Sequence, residues 1–194
     1  KSGGGLTLIN AVRLTAQGEA QLAKLGTVKN VVKIGHYHGR DDAYYVSEHG
    51  AVFWALPNAK HPDYGTEAQV LSAENLPILD AQLFVFDGAN EAEAALLVAR
   101  SNGVLVTCDA VQNWPNTARC SLPAKVVARL IGFTKRSAKI GPPWRKAMTP
   151  DGGSLQPDFE RLAALKFDIL IAAHGAPLVG GAPCALAATV KATY

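Results

Sequence analysis

VKNVVKIGHYHGRDD, residues 28–42, is the stretch that decides the fold of this chain. Its first half, Val28 to Ile34, is a short apolar run that predicts a buried β-strand. Two histidines and two carboxylates follow within residues 35–42, although the whole chain has only five histidines. Loops at strand ends are where rigid scaffolds place functional side chains. Imidazole and carboxylate together suit zinc, manganese or iron.

Composition sets the class of the protein. The chain has 194 residues, of which 48% are hydrophobic and 18% charged, so we expect one domain over 1–194 with a sizeable core. The net charge of +3 is scattered, which argues against a nucleic-acid partner. No apolar run reaches the ~20 residues of a membrane span, and no signal peptide is visible. The chain begins at Lys1 without methionine, which is consistent with a sequence that lacks its natural N-terminal residues.

The three cysteines, Cys108, Cys120 and Cys184, are odd in number and widely spaced. This pattern favours reduced thiols in a cytoplasmic protein. Asn102-Gly103 between apolar runs predicts a hairpin, and the order shows no strict βαβ repeat. The whole pattern predicts a one-domain α/β sandwich with mixed sheets. We expect strands over 6–12, 28–34, 51–56, 83–86, 94–99, 104–107 and 167–172. We expect helices over 16–25, with Thr15 as its N-cap, and over 42–50, 123–131, 154–165 and 182–193.

Candidate ligands follow three of these strands. His36, His38, Asp41 and Asp42 follow the strand over 28–34, while Asp109 and His174 follow the strands over 104–107 and 167–172. Strand ends at one edge of a sheet commonly meet, and sites form there. These side chains are therefore expected to share one polar pocket.

The order of these residues resembles that of the metallo-β-lactamase fold superfamily over most of residues 6–194. His36-Tyr37-His38 resembles the first pair of the family's His-x-His-x-Asp-His loop, Cys108-Asp109 the aspartate that bridges two metals, and Ala173-His174-Gly175 the last histidine. The resemblance implies a four-layer αββα sandwich of two mixed β-sheets, with a metal site at one edge. It implies His36, His38, Asp42, Asp109 and His174 as ligands of one or two divalent ions (Zn, Mn or Fe).

Two departures from the family pattern bear on the metal. Gly39-Arg40-Asp41-Asp42 has one extra residue, and Asp42 stands where the loop's last histidine would fall. Residues 86–93 lack the histidine that the family places before the hairpin, where Asp87 or Glu91 is a possible substitute. A carboxylate-rich set suits harder ions, or leaves one metal position, or none.

A bound ion would lower the pKa of its water towards ~7, and Asp41 or Asp42 would orient that water or take its proton. The expected reaction is hydrolysis of an ester, thioester, lactone, amide or phosphoester. One of the two aspartates is expected to cap the following helix, and the other to face the pocket. Trp114 and Trp144, in predicted loops, and Tyr37 are expected to form an apolar wall for a small-molecule substrate.

Two other functions stay open. One is a non-catalytic, metal-free binding protein that retains the fold. The other is a metal-free enzyme that uses aspartate and histidine as acid and base. Cys108 with His174 as its base would make a thiol nucleophile, but a buried structural cysteine is the better interpretation after an apolar run. The oligomeric state is open, a homodimer included.

Overall fold

The computed structural model describes residues 4–117, 121–123, 125–126 and 137–194. The helix predicted over 123–131 falls largely outside these residues. The described strands are β1 (Gly5–Ile9), β2 (Thr27–Lys33), β3 (Val52–Ala55), β4 (Gln69–Val70), β5 (Ala81–Val85), β6 (Ala94–Val98), β7 (Val104–Thr107), β8 (Val111–Gln112), β9 (Lys139–Ile140), β10 (Ile169–Ala172) and β11 (Leu178–Val179). The described helices are α1 (Ala16–Leu25), α2 (Asp42–His49), α3 (Pro142–Met148), α4 (Gln156–Ala163) and α5 (Ala182–Thr193).

The first sheet has the strand order β1-β2-β3-β4, and all its neighbouring strands run parallel. The prediction of mixed sheets is wrong here. So is the prediction that no βαβ repeat occurs, because β1-α1-β2-α2-β3 is one. Each helix carries the chain back to the end where it started, which makes the next strand parallel. Thr15 caps α1 as predicted, since its side chain accepts a hydrogen bond from the Gly18 N–H.

The second sheet is mixed, with the order β11-β10-β7-β6-β5. The predicted hairpin is confirmed: β6 and β7 pair antiparallel across the turn at 101–103. Asn102 has φ 64° and Gly103 φ 98°, the left-handed region that Asn and Gly tolerate best. β10 pairs parallel with β7, with Ala172 opposite Thr107. The residues that follow these two strands therefore emerge side by side.

Apolar side chains connect the two sheets. On β2, Val31 packs with Tyr45 of α2 in one cluster, whereas its neighbour Val32 packs with Leu96 of β6 in another. This alternation is what a strand with two covered faces requires. Phe159 of α4 lies in a third cluster, which covers the other side of the second sheet. The end of β2 thus lies against the second sheet, and the Ala94 N–H donates to the Ile34 carbonyl at 2.8 Å.

None of the described helices is long and apolar enough to cross a membrane.

Candidate metal site

Three of the sequence-predicted ligands come together at the edge where the sheets meet. Asp109 Oδ1 lies 3.0 Å from His174 Nε2, and Asp109 Oδ2 lies 3.4 Å from His38 Nε2. The two Nε2 atoms are 3.3 Å apart. We call these residues the His–Asp cluster. The side chains of His38 and Asp109 are mostly buried, but that of His174 is 43% exposed, so the cluster is open to solvent on one side.

The register of the second sheet places two members of the cluster. Because Thr107 and Ala172 are paired, Asp109 and His174 each stand two residues beyond the same point of the sheet. Gly175 holds the position of His174, since it forms a parallel bridge with Asn113. A Cβ at Gly175 would lie 1.9 Å from the Asn113 carbonyl oxygen. Only glycine allows this approach.

The third member, His38, comes from the loop after β2. Gly35 lets this loop lie directly on the second sheet, because a Cβ there would be 2.0 Å from Cys108 Sγ. Lys33, the last residue of β2, is 3% exposed. Its Nζ donates hydrogen bonds to the carbonyl oxygens of Gly35 at 2.7 Å and of His36 at 3.0 Å, and to that of His38.

The His–Asp cluster has the dimensions of a metal site. A tetrahedral ion with ligand bonds of ~2.0–2.1 Å holds its ligand atoms about 3.3 Å apart. The two imidazole nitrogens are 3.3 Å apart, and each lies 3.0–3.4 Å from an Asp109 oxygen, Oδ1 for His174 and Oδ2 for His38, so the separations are close to this value. Two imidazole nitrogens and one carboxylate also form a donor set known for divalent transition metals. The residues present therefore fit one ion, and their binding of it stays a prediction.

Electrostatics within the cluster favour a negative carboxylate. Burial alone would raise the pKa of Asp109, but its interactions with the His174 and His38 side chains hold that pKa well below the usual range. The same interaction with Asp109 raises the pKa of His174, against a smaller effect of burial. The cluster thus presents an ionised carboxylate between two imidazoles, a favourable place for a cation.

Cys108 is a further donor within reach. Its thiol is fully buried, 3.7 Å from Asp109 Oδ2, and burial raises its pKa. Ligand atoms of His38, Cys108 and Asp109 all lie within 4.8 Å of one another. A thiol with a raised pKa is a poor nucleophile, which agrees with the structural interpretation of this cysteine.

The two aspartates of the loop have separate environments. Asp42 is 0% exposed, and among the described residues neither of its carboxylate oxygens has a hydrogen-bond partner. Burial raises its pKa to about 6, against the opposing effect of Lys33. Asp41 accepts a hydrogen bond from the Arg13 N–H at 3.0 Å and pairs with Arg40. The expected helix cap is wrong, because within the described chain neither side chain caps α2.

His36 turns away from the cluster. Its Nδ1 lies 3.7 Å from Glu91 Oε2, and its ring contacts Tyr37, which is 58% exposed. Glu91 also pairs with Lys60. The other acidic residue considered for the missing histidine, Asp87, pairs with Arg161 at 2.8 Å on the surface. The structure therefore brings neither acidic candidate nor His36 to the His–Asp cluster.

Glu93 is a buried acid that no pattern in the sequence singles out. It is 0% exposed, and its Oε2 accepts a hydrogen bond from the His36 N–H at 3.0 Å. Burial raises its pKa to about 7. Its only sequence signal is its place in residues 86–93, just before β6. Lys33 was also missed, because a lysine in a strand of this length is usually a surface residue.

The two tryptophans differ in position. Trp114 stacks on His174, with ring centroids 6.3 Å apart and planes 15° from parallel. Its Nε1 donates to Gln112 Oε1 at 2.8 Å. The loop expected around Trp144 is wrong: Trp144 lies in α3, is 3% exposed, and packs on Phe86 and Phe159 in the core. Such a position does not favour contact with a substrate.

A cavity of about 480 Å³ lies beside the loop. Glu91 and Glu93, which both contact His36, belong to its lining. Its size is in the range of small-molecule sites. The apolar part of its lining includes Leu56 and Leu71, which directly follow β3 and β4, and Leu83 and Val85 of β5.

No protein-family model matches the sequence, and no curated protein matches it significantly. Among solved structures, the chain is similar to a metallo-β-lactamase from Staphylococcus aureus subsp. aureus COL, with a TM-score of 0.52 and 11% sequence identity. The similarity covers 90% of this chain and 50% of that one. The chain thus spans about half the length of that structure. This likeness shows the metallo-β-lactamase fold, and at such low identity it shows the fold alone.

Proposed function

We propose that the protein is a metal-dependent hydrolase that holds one divalent ion in the His–Asp cluster. The observation that carries this proposal is the convergence of His38, Asp109 and His174 at separations of 3.0–3.4 Å. The proposal includes a single four-layer αββα domain. The apolar clusters on both sides of each sheet support it.

The ion, when bound, would supply a nucleophilic water and polarise a carbonyl or phosphoryl oxygen. His38 and His174 would hold it through Nε2, and Asp109 through a carboxylate oxygen. The partial exposure of His174 leaves room for substrate on that side. Trp114, stacked on His174, keeps the imidazole plane fixed and offers an aromatic face to an incoming ligand.

The proton would leave by way of groups that solvent can reach. Asp42 is cut off from solvent, and Asp41 is engaged by Arg13 and Arg40. Both aspartates were predicted as catalytic bases, but these environments favour neither. We propose that the proton of the attacking water passes to bulk solvent at the exposed side of His174, because Asp109, as a ligand whose pKa is held well below its usual range, is a weak base.

The cavity beside His36 is the proposed place for the acyl or alkyl part of the substrate. Its apolar walls favour an ester, thioester or lactone over a phosphoester, since a phosphoester would bring its charge close to Glu91 and Glu93. The lining of the cavity supports this substrate class, and because His38, Asp109 and His174 do not belong to that lining, the substrate would have to extend from the cavity to the cluster.

The test begins with protein stripped of metal by a chelator. It is reloaded with Zn²⁺, Mn²⁺ or Fe²⁺, and bound metal, melting temperature and hydrolysis of nitrophenyl esters, thioesters and lactones are measured. We expect one ion per chain, a higher melting temperature and metal-dependent hydrolysis. His174→Ala should abolish all three effects. His49→Ala is the matched control, because His49 pairs with Glu19 away from the cluster. Absence of metal uptake by the unchanged protein would contradict the proposal.

The alternative is a non-catalytic, metal-free binding protein. The observation in its favour is that the other two predicted ligands lie outside the His–Asp cluster. His36 faces Glu91, and Asp42 is buried near Lys33. This function predicts that ligands bind in the cavity beside His36 equally well with and without metal. Binding that survives both chelation and His174→Ala would support it over the hydrolase.

A further inference from the structure

Lys33 stands out among the buried groups that the proposed chemistry does not use. Its ammonium group has three N–H donors, and all three are directed to loop carbonyls, those of Gly35, His36 and His38. These oxygens belong to the segment that carries His38 into the His–Asp cluster. The Lys33 ammonium therefore occupies a position in which carbonyl oxygens could otherwise coordinate a bound cation.

The groups around Lys33 are acidic. Burial lowers the pKa of Lys33, and Asp42, Cys108, Glu93 and Asp109 oppose this effect, with Asp42 the strongest of the four. Asp42 and Lys33 also both approach Gly39: a Cβ there would lie 2.9 Å from Asp42 Oδ2 and 3.4 Å from Lys33 Nζ. A buried carboxylate without hydrogen bonds needs a nearby positive charge. Lys33 supplies that charge from inside the fold.

We infer that Lys33 is a positioning residue: its ammonium is a built-in cation that fixes the loop 35–38, presents His38 to Asp109 and His174, and limits the site to one divalent ion. Only the limit to one divalent ion rests on the proposed metal site. The loop geometry stands without a metal, because the three carbonyl contacts are present in the protein alone.

The single-ion limit follows from which donors are left. His38, Asp109 and His174 already lie within 3.4 Å of one another and are taken up by one ion in the proposed site. Of the remaining predicted ligands, His36 faces Glu91. The Asp42 carboxylate lies on the same side of Gly39 as the Lys33 ammonium, although the two groups form no direct ion pair. A second divalent ion near Asp42 would lie close to that ammonium, and like charges in a buried space repel strongly.

The test uses Lys33→Met and the double variant Lys33→Met/Asp42→Asn. The double variant removes both charges of the buried pair, so it keeps the experiment usable if Lys33→Met alone does not fold. Lys29→Met is the matched control, because Lys29 is an exposed lysine of the same strand. Two quantities are measured: Co²⁺ binding by visible absorption, and amide hydrogen exchange of His36 and His38 in metal-free protein.

We expect the unchanged protein to saturate at one Co²⁺ per chain. The Lys33 variants should bind Co²⁺ about tenfold or more weakly, with an altered Co²⁺ spectrum, and should exchange the His36 and His38 amides about tenfold faster. Amides of β6 and β10 should keep their exchange rates. A purely structural role would instead speed exchange everywhere and leave the spectrum of bound Co²⁺ unchanged.

Three results would overturn the inference. They are two Co²⁺ ions per unchanged chain, Co²⁺ binding by the double variant equal to that of Lys29→Met, and loop exchange that does not respond to loss of Lys33. If the unchanged protein binds no Co²⁺, the proposed hydrolase fails, while the exchange measurement still decides the role of Lys33 in the loop.

Discussion

The His–Asp cluster and the buried residues Lys33 and Asp42, which we call the buried pair, both contact the loop after β2. They handle charge in opposite ways. In the cluster, Asp109 accepts hydrogen bonds from two imidazoles, and its pKa falls. In the buried pair, Asp42 has no hydrogen-bond partner among the described residues, and its pKa rises to about 6. The same residue type is thus prepared to hold a cation in one place and already faces a cation in the other.

The comparison separates the two halves of the predicted ligand set. Residues at the ends of β7 and β10 are fixed by sheet register, so their convergence is rigid. Residues of the loop after β2 depend on Lys33 and on close packing against Cys108. Substitutions at the ends of β7 and β10 and substitutions in the loop after β2 should therefore differ in their effects on metal binding and on stability.

The largest effect is expected in the cluster. Asp109→Ala should weaken Zn²⁺ or Co²⁺ binding on the order of a thousandfold, since each ligand of a site carries several kcal/mol of the ~10–16 kcal/mol of metal binding. Isothermal titration measures the affinity. Asp151→Asn, an exposed aspartate on the surface, is the control. Near-normal affinity of Asp109→Ala would remove the cluster as the metal site.

The next effect is expected where the loop meets the second sheet. Gly35→Ala would place a Cβ 2.0 Å from Cys108 Sγ, and such overpacking should lower the free energy of unfolding by about 3 kcal/mol. Urea denaturation measures this loss. The double variant Gly35→Ala/Cys108→Gly should recover at least half of it. If the second substitution gives no recovery, the loop does not pack on Cys108 as described.

A smaller effect, with a sign set by pH, is expected at Asp42. Its pKa is about 6 in the folded protein against 3.8 for the free group. The unfolded chain ionises first, so the folded state loses stability as the pH rises from 4 to 6. Asp42→Asn should therefore raise the free energy of unfolding at pH 7 on the order of 2 kcal/mol, and much less at pH 4. Denaturation at both pH values measures the difference.

The neighbouring aspartate should show the opposite sign. The hydrogen bonds from the Arg13 N–H and from Arg40 lower the pKa of Asp41. Its contribution is present above the free pKa and is lost as the pH falls below it. Asp41→Asn should thus lower stability at pH 7 and have no effect at pH 2–3. The same sign for both aspartates would mean that their environments are not distinct.

The smallest effect is expected at Trp114. Because Trp114 stacks on His174 without being a ligand, Trp114→Phe should change Co²⁺ affinity by less than about threefold, the size of a lost stacking contact. Co²⁺ should quench tryptophan fluorescence in the unchanged protein, and the variant should lose most of this quenching. Trp54→Phe, on β3, should keep it.

The sequence predicted the elements with the clearest local signals. The Thr15 cap, the Asn102-Gly103 hairpin and the helix over 182–193 agree with the structure. The parallel first sheet was missed, because strand direction depends on how a connection crosses the sheet and not on the residues of the strand. Trp144 was predicted to lie in a loop because residues 132–153 are rich in proline and glycine, yet prolines also begin helices.

For the site, the sequence by itself determined which side chains are candidates and that three of them follow strands. Only the tertiary structure decided which of them meet. His38, Asp109 and His174 converge because β7 and β10 are paired and the β2 loop lies on Cys108. His36 and Asp42, two and four residues from His38, do not. The reason is that a loop residue's direction is set by the contacts that hold its backbone, here the buried Lys33 ammonium, and no local pattern encodes them.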